Sequence, residues 1–139
     1  MKKETITGFM LKEHGILRDL LATFRSYSDR DLKRAEDVFK KFKEKHENHI
    51  FLEEKGIFNF NREINKMDLL NIIIVQHRSM EKMMAAIWKD FDNEEDPTPD
   101  VIILQTLMRK HLDLEEKGFY PKLDKQITDQ ERKKILKKI

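Results

Sequence analysis

A ten-residue stretch that occurs twice constrains this chain more than anything else in it. His49-Ile50-Phe51-Leu52-Glu53-Glu54-Lys55-Gly56-Ile57-Phe58 returns 62 residues later as His111-Leu112-Asp113-Leu114-Glu115-Glu116-Lys117-Gly118-Phe119-Tyr120. Both copies read His-x-x-x-Glu-Glu-Lys-Gly followed by two large apolar or aromatic residues. Residues four apart on an α-helix lie on one face, one turn above the other. Each copy therefore sets an imidazole beside a carboxylate. A neutral nitrogen donor and an anionic oxygen donor at that spacing suit a divalent transition metal.

The repeat reaches further than these ten residues. His14 precedes His49 by 35 residues and His77 precedes His111 by 34, with Glu13-His14 matching Gln76-His77. Each half thus supplies an early His and a later His-x-x-x-Glu pair. Two copies are too few for a solenoid. They fit two helical hairpins around a shared centre, and a chain of 139 residues makes a single domain, 1–139, with one core.

Apolar periodicity supplies the helices. Over residues 5–26, Met10, Leu17, Leu21 and Phe24 share a stripe with His14. Ser28 and Asp29 offer N-caps for a second helix with Asp31 in its first turn. Its inner face runs Phe42, His46, His49, Glu53, Ile57, in steps of 4, 3, 4 and 4, until a polar break from Asn59 to Lys66. A third helix from Asn65–Asp68 to about Phe91 turns Leu70, Ile73, His77, Met80 or Glu81, and Met84 inward. Thr98 caps a fourth, with Pro99 in first position. It carries Leu104, Leu107, Met108, His111 and Glu115 inward, and the chain kinks or stops at Pro121. Thr128 and Glu131 form a capping box that opens a short terminal helix. No window alternates with period two, so no sheet is expected. The fold class is all-α: an antiparallel up-down four-helix bundle with a short C-terminal helix. Such bundles build metal sites from inward side chains.

Several kinds of chemistry are closed to this chain. It has no cysteine, which excludes disulfides, thiolate zinc sites, iron–sulfur clusters and thiol catalysis. The net charge is only +2, with basic and acidic residues interleaved, so there is no stripe for nucleic acid and no strong pull toward anionic membrane. Arg132-Lys133-Lys134 and Lys137-Lys138 are basic without acidic partners and read as a solvated amphipathic end. No apolar run reaches the length of a membrane span and no signal peptide opens the chain, so a soluble, cytoplasmic protein is expected.

His14, His49, His77 and His111 fall on inward faces, one per helix, and two of them are paired with Glu53 and Glu115. Burying such a set without partners is costly, and a central cation supplies the partners. Zinc usually takes four ligands, and six on four helices suit a pair of ions better. Imidazole and carboxylate without sulfur suit iron, with manganese or zinc as alternatives. Neither Glu-x-x-His nor His-Glu-x-x-His is present.

The order His, His-x-x-x-Glu, His, His-x-x-x-Glu across four helices resembles the hemerythrin-like family, the HHE cation-binding domain, from Glu13-His14 to Pro121. That resemblance implies that His14, His49, Glu53, His77, His111 and Glu115 ligate a non-haem di-iron centre. Glu53 and Glu115 would bridge the irons together with an oxo or hydroxo group. It implies dioxygen or nitric oxide as the small ligand, in gas binding, sensing, scavenging or iron handling. A di-iron peroxidase, oxidase or nitric oxide reductase with an unknown redox partner is the alternative.

Two departures from the oxygen-carrying hemerythrins stand out. Those carry His-x-x-x-His on the third helix where this chain has Glu81 four after His77, and their last carboxylate is an Asp five after its His. His46, whose repeat counterpart is Met108, restores a fifth imidazole as a ligand, a supporting group or an edge residue. Glu81 is either a ligand or a partner of Arg18. Glu54 and Glu116 read as solvated neighbours of the ligands, and Gly56 and Gly118 as sites of close helix approach or helix ends. The Met80, Met83, Met84 run reads as adaptable core. Trp88, Phe9, Phe24 and Phe42 serve either as core or as the wall of a pocket.

Overall fold

Thr5 accepts the Gly8 N–H at 2.9 Å and starts α1 (Ile6–Ser28) in the computed structural model, which describes residues 4–139. Asp31 caps α2 (Leu32–Phe51) through the Arg34 N–H, so Ser28 and Asp29, expected to open α2, close α1 instead. From Phe51 the chain passes without a break into a π-helical stretch, Leu52–Ile57. The polar break beyond it holds a four-residue helix, α3 (Arg62–Asn65), whose Ile64 enters the core. Then come α4 (Leu70–Asp92) and α5 (Thr98–Leu114), the latter with Pro97 before it and Pro99 in its first turn. A second π-helical stretch, Glu115–Phe119, leads into α6 (Tyr120–Gln126). The capping box at Thr128 and Glu131 opens α7 (Asp129–Lys138) as expected.

Three residues join α1 to α2 and five join α4 to α5 (29–31 and 93–97), links short enough to force each pair antiparallel. The result is an all-α four-helix bundle, with no strand among the described residues. Pro121 does not stop the chain. It sits in the first turn of α6, where a missing N–H leaves no hydrogen bond unmade. Nor is the C-terminal segment without acidic partners. Arg132 pairs with Asp124 at 3.2 Å and Asp129 at 2.7 Å, and Ile135 is fully buried. Asp124 also accepts the Ile6 and Thr7 N–H groups, which ties α6 to the start of α1. None of the described helices is long and apolar enough to cross a membrane.

The core is split. One apolar cluster, built on Leu17, Phe24, Phe39, Phe42, Met80 and Met108, fills the end of the bundle nearest the hairpin loops. The other, built on Met10, Ile57, Ile73, Phe119, Tyr120 and Leu123, fills the end where α6 and α7 pack. On every long helix the inward His lies between a residue of one cluster and a residue of the other. Here Met80 rather than Glu81 takes the inner position, and Ile87 continues that buried face. Trp88 is at the edge, against Phe39 and Lys40, while Phe24 and Phe42 are core.

Candidate metal centre

Between the two apolar clusters lies one polar layer. His14, His49, Glu53, His77, His111 and Glu115 are all buried there, on α1, α2, α4, α5 and the two π-helical stretches. Their donor atoms form two groups, each within 4.8 Å throughout: Glu53, His77, His111 and Glu115, and His14, His49 and Glu115. The imidazoles pair by hairpin, with ring centroids 5.0 Å apart for His14–His49 and 4.8 Å for His77–His111.

The carboxylates sit across the pairs. Glu53 Oε1 is 3.1 Å from His49 Nε2 and 3.3 Å from His77 Nε2. Glu115 Oε1 is 3.1 Å from His14 Nε2 and 3.4 Å from His111 Nε2. Each carboxylate thus meets the late His of its own half and the early His of the other. The contacts are close but not aligned as hydrogen bonds: His14, His49 and His77 Nε2, Glu53 Oε1 and both Glu115 oxygens lack a hydrogen-bond partner. An orphaned buried polar group costs about 1–3 kcal/mol. A set of them converging on one point is what a cation would satisfy, so the residues fit a bound metal.

The π-helical stretches explain why two consecutive glutamates can serve one centre. Phe58 N–H bonds to Glu53 C=O and Tyr120 N–H to Glu115 C=O, each spanning five residues. A wider turn rotates successive residues less, so the second Glu of each doublet stays near the interior. Glu116 accepts from His14 Nδ1 at 2.6 Å, and Glu54 accepts from His77 Nδ1 at 2.6 Å. The proton on Nδ1 leaves Nε2 as the lone-pair nitrogen, aimed at the layer. Arg18 grips Glu116 with both terminal nitrogens at 2.8 and 3.0 Å, and Arg78 links Glu54 to Glu81. His111 Nδ1 donates to Gln76 Oε1 at 2.8 Å.

Glu54 and Glu116 are therefore not solvated neighbours; each orients an imidazole of the opposite half. Glu81 joins neither donor group and does not meet Arg18; its carboxylate is held by Arg78 on the same helix. His46 is buried and stacked on Phe42 at 5.6 Å between centroids, outside both groups. Gly118 lets Leu69 approach, since a Cβ there would lie 2.9 Å from Leu69 Cδ1, and Gly56 does the same for Ile139 at 3.3 Å. Nothing in the spacing points to Tyr120, Gln76 or Arg78 as partners here; for Glu54 and Glu116 the one sequence signal is the intact duplication of the Glu doublet.

Tyr120 breaks the symmetry of the two halves. Its buried hydroxyl donates to Glu53 Oε2, while its counterpart Phe58 stacks over His77. Burial pushes the Glu53 carboxyl upward, but His49, Glu115 and His77 outweigh that and hold it well below the carboxylate range. Glu115, with no such donor, is driven well above that range by burial and by the charge of Glu53. Burial and the two carboxylates also keep the Tyr120 phenol protonated, as a donor. A cation between the two carboxylates would offset the burial and the like charge that raise Glu115.

The model of the hemerythrin HHE cation binding domain matches residues 5–123, and the chain belongs to that family. It is a hemerythrin-like metal-binding bundle. No curated protein and no solved structure matches it.

Proposed function

We propose that this chain holds two iron ions in a non-haem centre that binds dioxygen, nitric oxide or a related small ligand, in gas binding, sensing or scavenging or in iron handling. His14 and His49 would hold one ion, His77 and His111 the other, and Glu53 and Glu115 would span both. The observation that carries this reading is the position of the two Oε1 atoms, each between imidazoles of different hairpins. Iron there supplies an open coordination position and a change of oxidation state. The chain supplies the rest. Glu116, Glu54 and Gln76 fix three imidazole rings through Nδ1, and the apolar clusters on either side keep water from the layer.

A di-iron oxidoreductase is the second reading, favoured by Tyr120. A buried phenol donating to Glu53 would hold a proton next to a carboxylate of the donor layer, where a reductive reaction could draw on it. Elemental analysis with optical spectra of the reduced protein, before and after air, tests both readings. A reversible coloured adduct supports ligand binding, and turnover of peroxide or nitric oxide supports the enzyme. Zinc in place of iron with no spectral change on aeration would overturn both.

A further inference from the structure

One helical turn from the imidazoles, toward the hairpin loops, each long helix contributes one residue to the next layer. Three are apolar and buried: Leu17, Met80 and Met108, each three residues from its His. The fourth is His46, three residues before His49 and only 2% exposed. The repeat places Met108 at the matching position of the second half, so a methionine fills such a place in this bundle. His46 instead brings a nitrogen, Nδ1, that is buried without a partner. An unmade hydrogen bond of this kind is a standing cost that methionine would not incur.

Burial, then the neighbouring His49 and His77, lower its pKa to about 3, so the ring is neutral and presents one N–H and one lone pair. Its layer is shared with Met80 and Met108, each one helical turn from His77 or His111, so His46 stands one layer from the His77–His111 pair as it does from His49. His46 stands outside both converging groups of donor atoms. The group that contains His77 and His111 offers four donors, Glu53, His77, His111 and Glu115, fewer than the six of an octahedral ion. With its proton on Nδ1 the ring has no acceptor in the protein, and a small ligand filling an open position there would supply one.

We propose that His46 recognises the exogenous ligand, its neutral imidazole donating a hydrogen bond to a small acceptor molecule (an azide, a nitrite or dioxygen) held at the centre on the His77–His111 side. This rests on the di-iron reading and sharpens it: ligands with a hydrogen-bond acceptor atom are selected. The layer's three apolar members exclude water that would otherwise compete for the N–H.

The test compares iron-loaded wild type with H46M, which copies the repeat counterpart, and with H46Q, which keeps a side-chain N–H. Bound iron, thermal melting and the azide dissociation constant from optical titration are measured for each. H46M should keep its iron and melt no lower than wild type, yet bind azide about ten- to a hundred-fold more weakly. H46Q should recover most of the loss. Equal azide affinity in H46M overturns the inference, and so does loss of iron from H46M, which would make His46 a ligand. Should H46M fail to fold, H46L carries the same comparison. Wild type that takes up no iron would sink the metal reading itself, whereas wild type that binds iron and azide as tightly as H46M sinks only this one.

Discussion

Glu116 shows how much of the centre lives one residue away from the converging donors. Its carboxylate takes the Nδ1 proton of His14 and is itself held by Arg18 across the bundle. Replacing Glu116 by Ala leaves a buried N–H unpaired and frees the ring to turn, so metal affinity should fall about 10–100-fold in titrations against a competing chelator. Arg18 is nearly half exposed, and R18A should cost far less, since a solvent-screened ion pair contributes about 0–1 kcal/mol. Equal losses in the two variants would refute the assignment of Glu116 as the orienting group. A second prediction concerns His46 and His111, both lowered to about pKa 3, chiefly by burial. Between pH 6.5 and 3 the unfolded chain takes protons on these rings that the folded chain refuses, so each makes stability fall as pH falls. In urea unfolding of the metal-free protein from pH 7 to 4, H46M should lose less stability than wild type, by about 1.4 kcal/mol per pH unit. A pH profile identical to wild type would contradict a buried neutral His46.

At the scale of the element, the π-helical stretches were not legible from periodicity. A 3.6-residue period accounts for His49 with Glu53 and for His111 with Glu115, but it points Glu54 and Glu116 sideways. Tertiary contacts with His77 and His14 reward the wider turn, and no local propensity announces that. Pro121 suggests a kink or stop for the same reason: inside an α-helix it clashes, whereas directly after the Glu115–Phe119 stretch it falls in a first turn. Glycine placement separates two cases that look alike in the sequence. Gly118 admits Leu69 closely, but around Gly15, within α1, a Cβ would meet nothing within 4 Å. G15A should therefore stabilise the protein by about 0.5–1 kcal/mol, read as a rise in melting temperature. A fall would reveal a contact that the bundle does not show.

For the whole molecule, the split core makes the polar layer its weak plane. Two apolar clusters hold the ends of the bundle, and the orphaned donors between them are stabilised only when something binds. Iron(II) at a hundred times its dissociation constant should raise unfolding free energy by about 2.7 kcal/mol, visible as an upward shift in thermal melting. Removal with a chelator should reverse it, and no shift with iron, manganese or zinc would mean that the layer does not close on a cation.

The sequence by itself determined the all-α class, the two hairpins and the six residues that converge, because helical period and a 62-residue repeat place those side chains on inner faces whatever the details of packing. The tertiary structure alone decided that the halves interlock. Glu53 meets His77, Glu116 meets His14, and Tyr120 meets Glu53, pairings between residues 24, 102 and 67 positions apart. Such cross-bundle contacts depend on which faces oppose each other and on two wide turns, and these are set by packing and by the cost of leaving buried polar atoms alone.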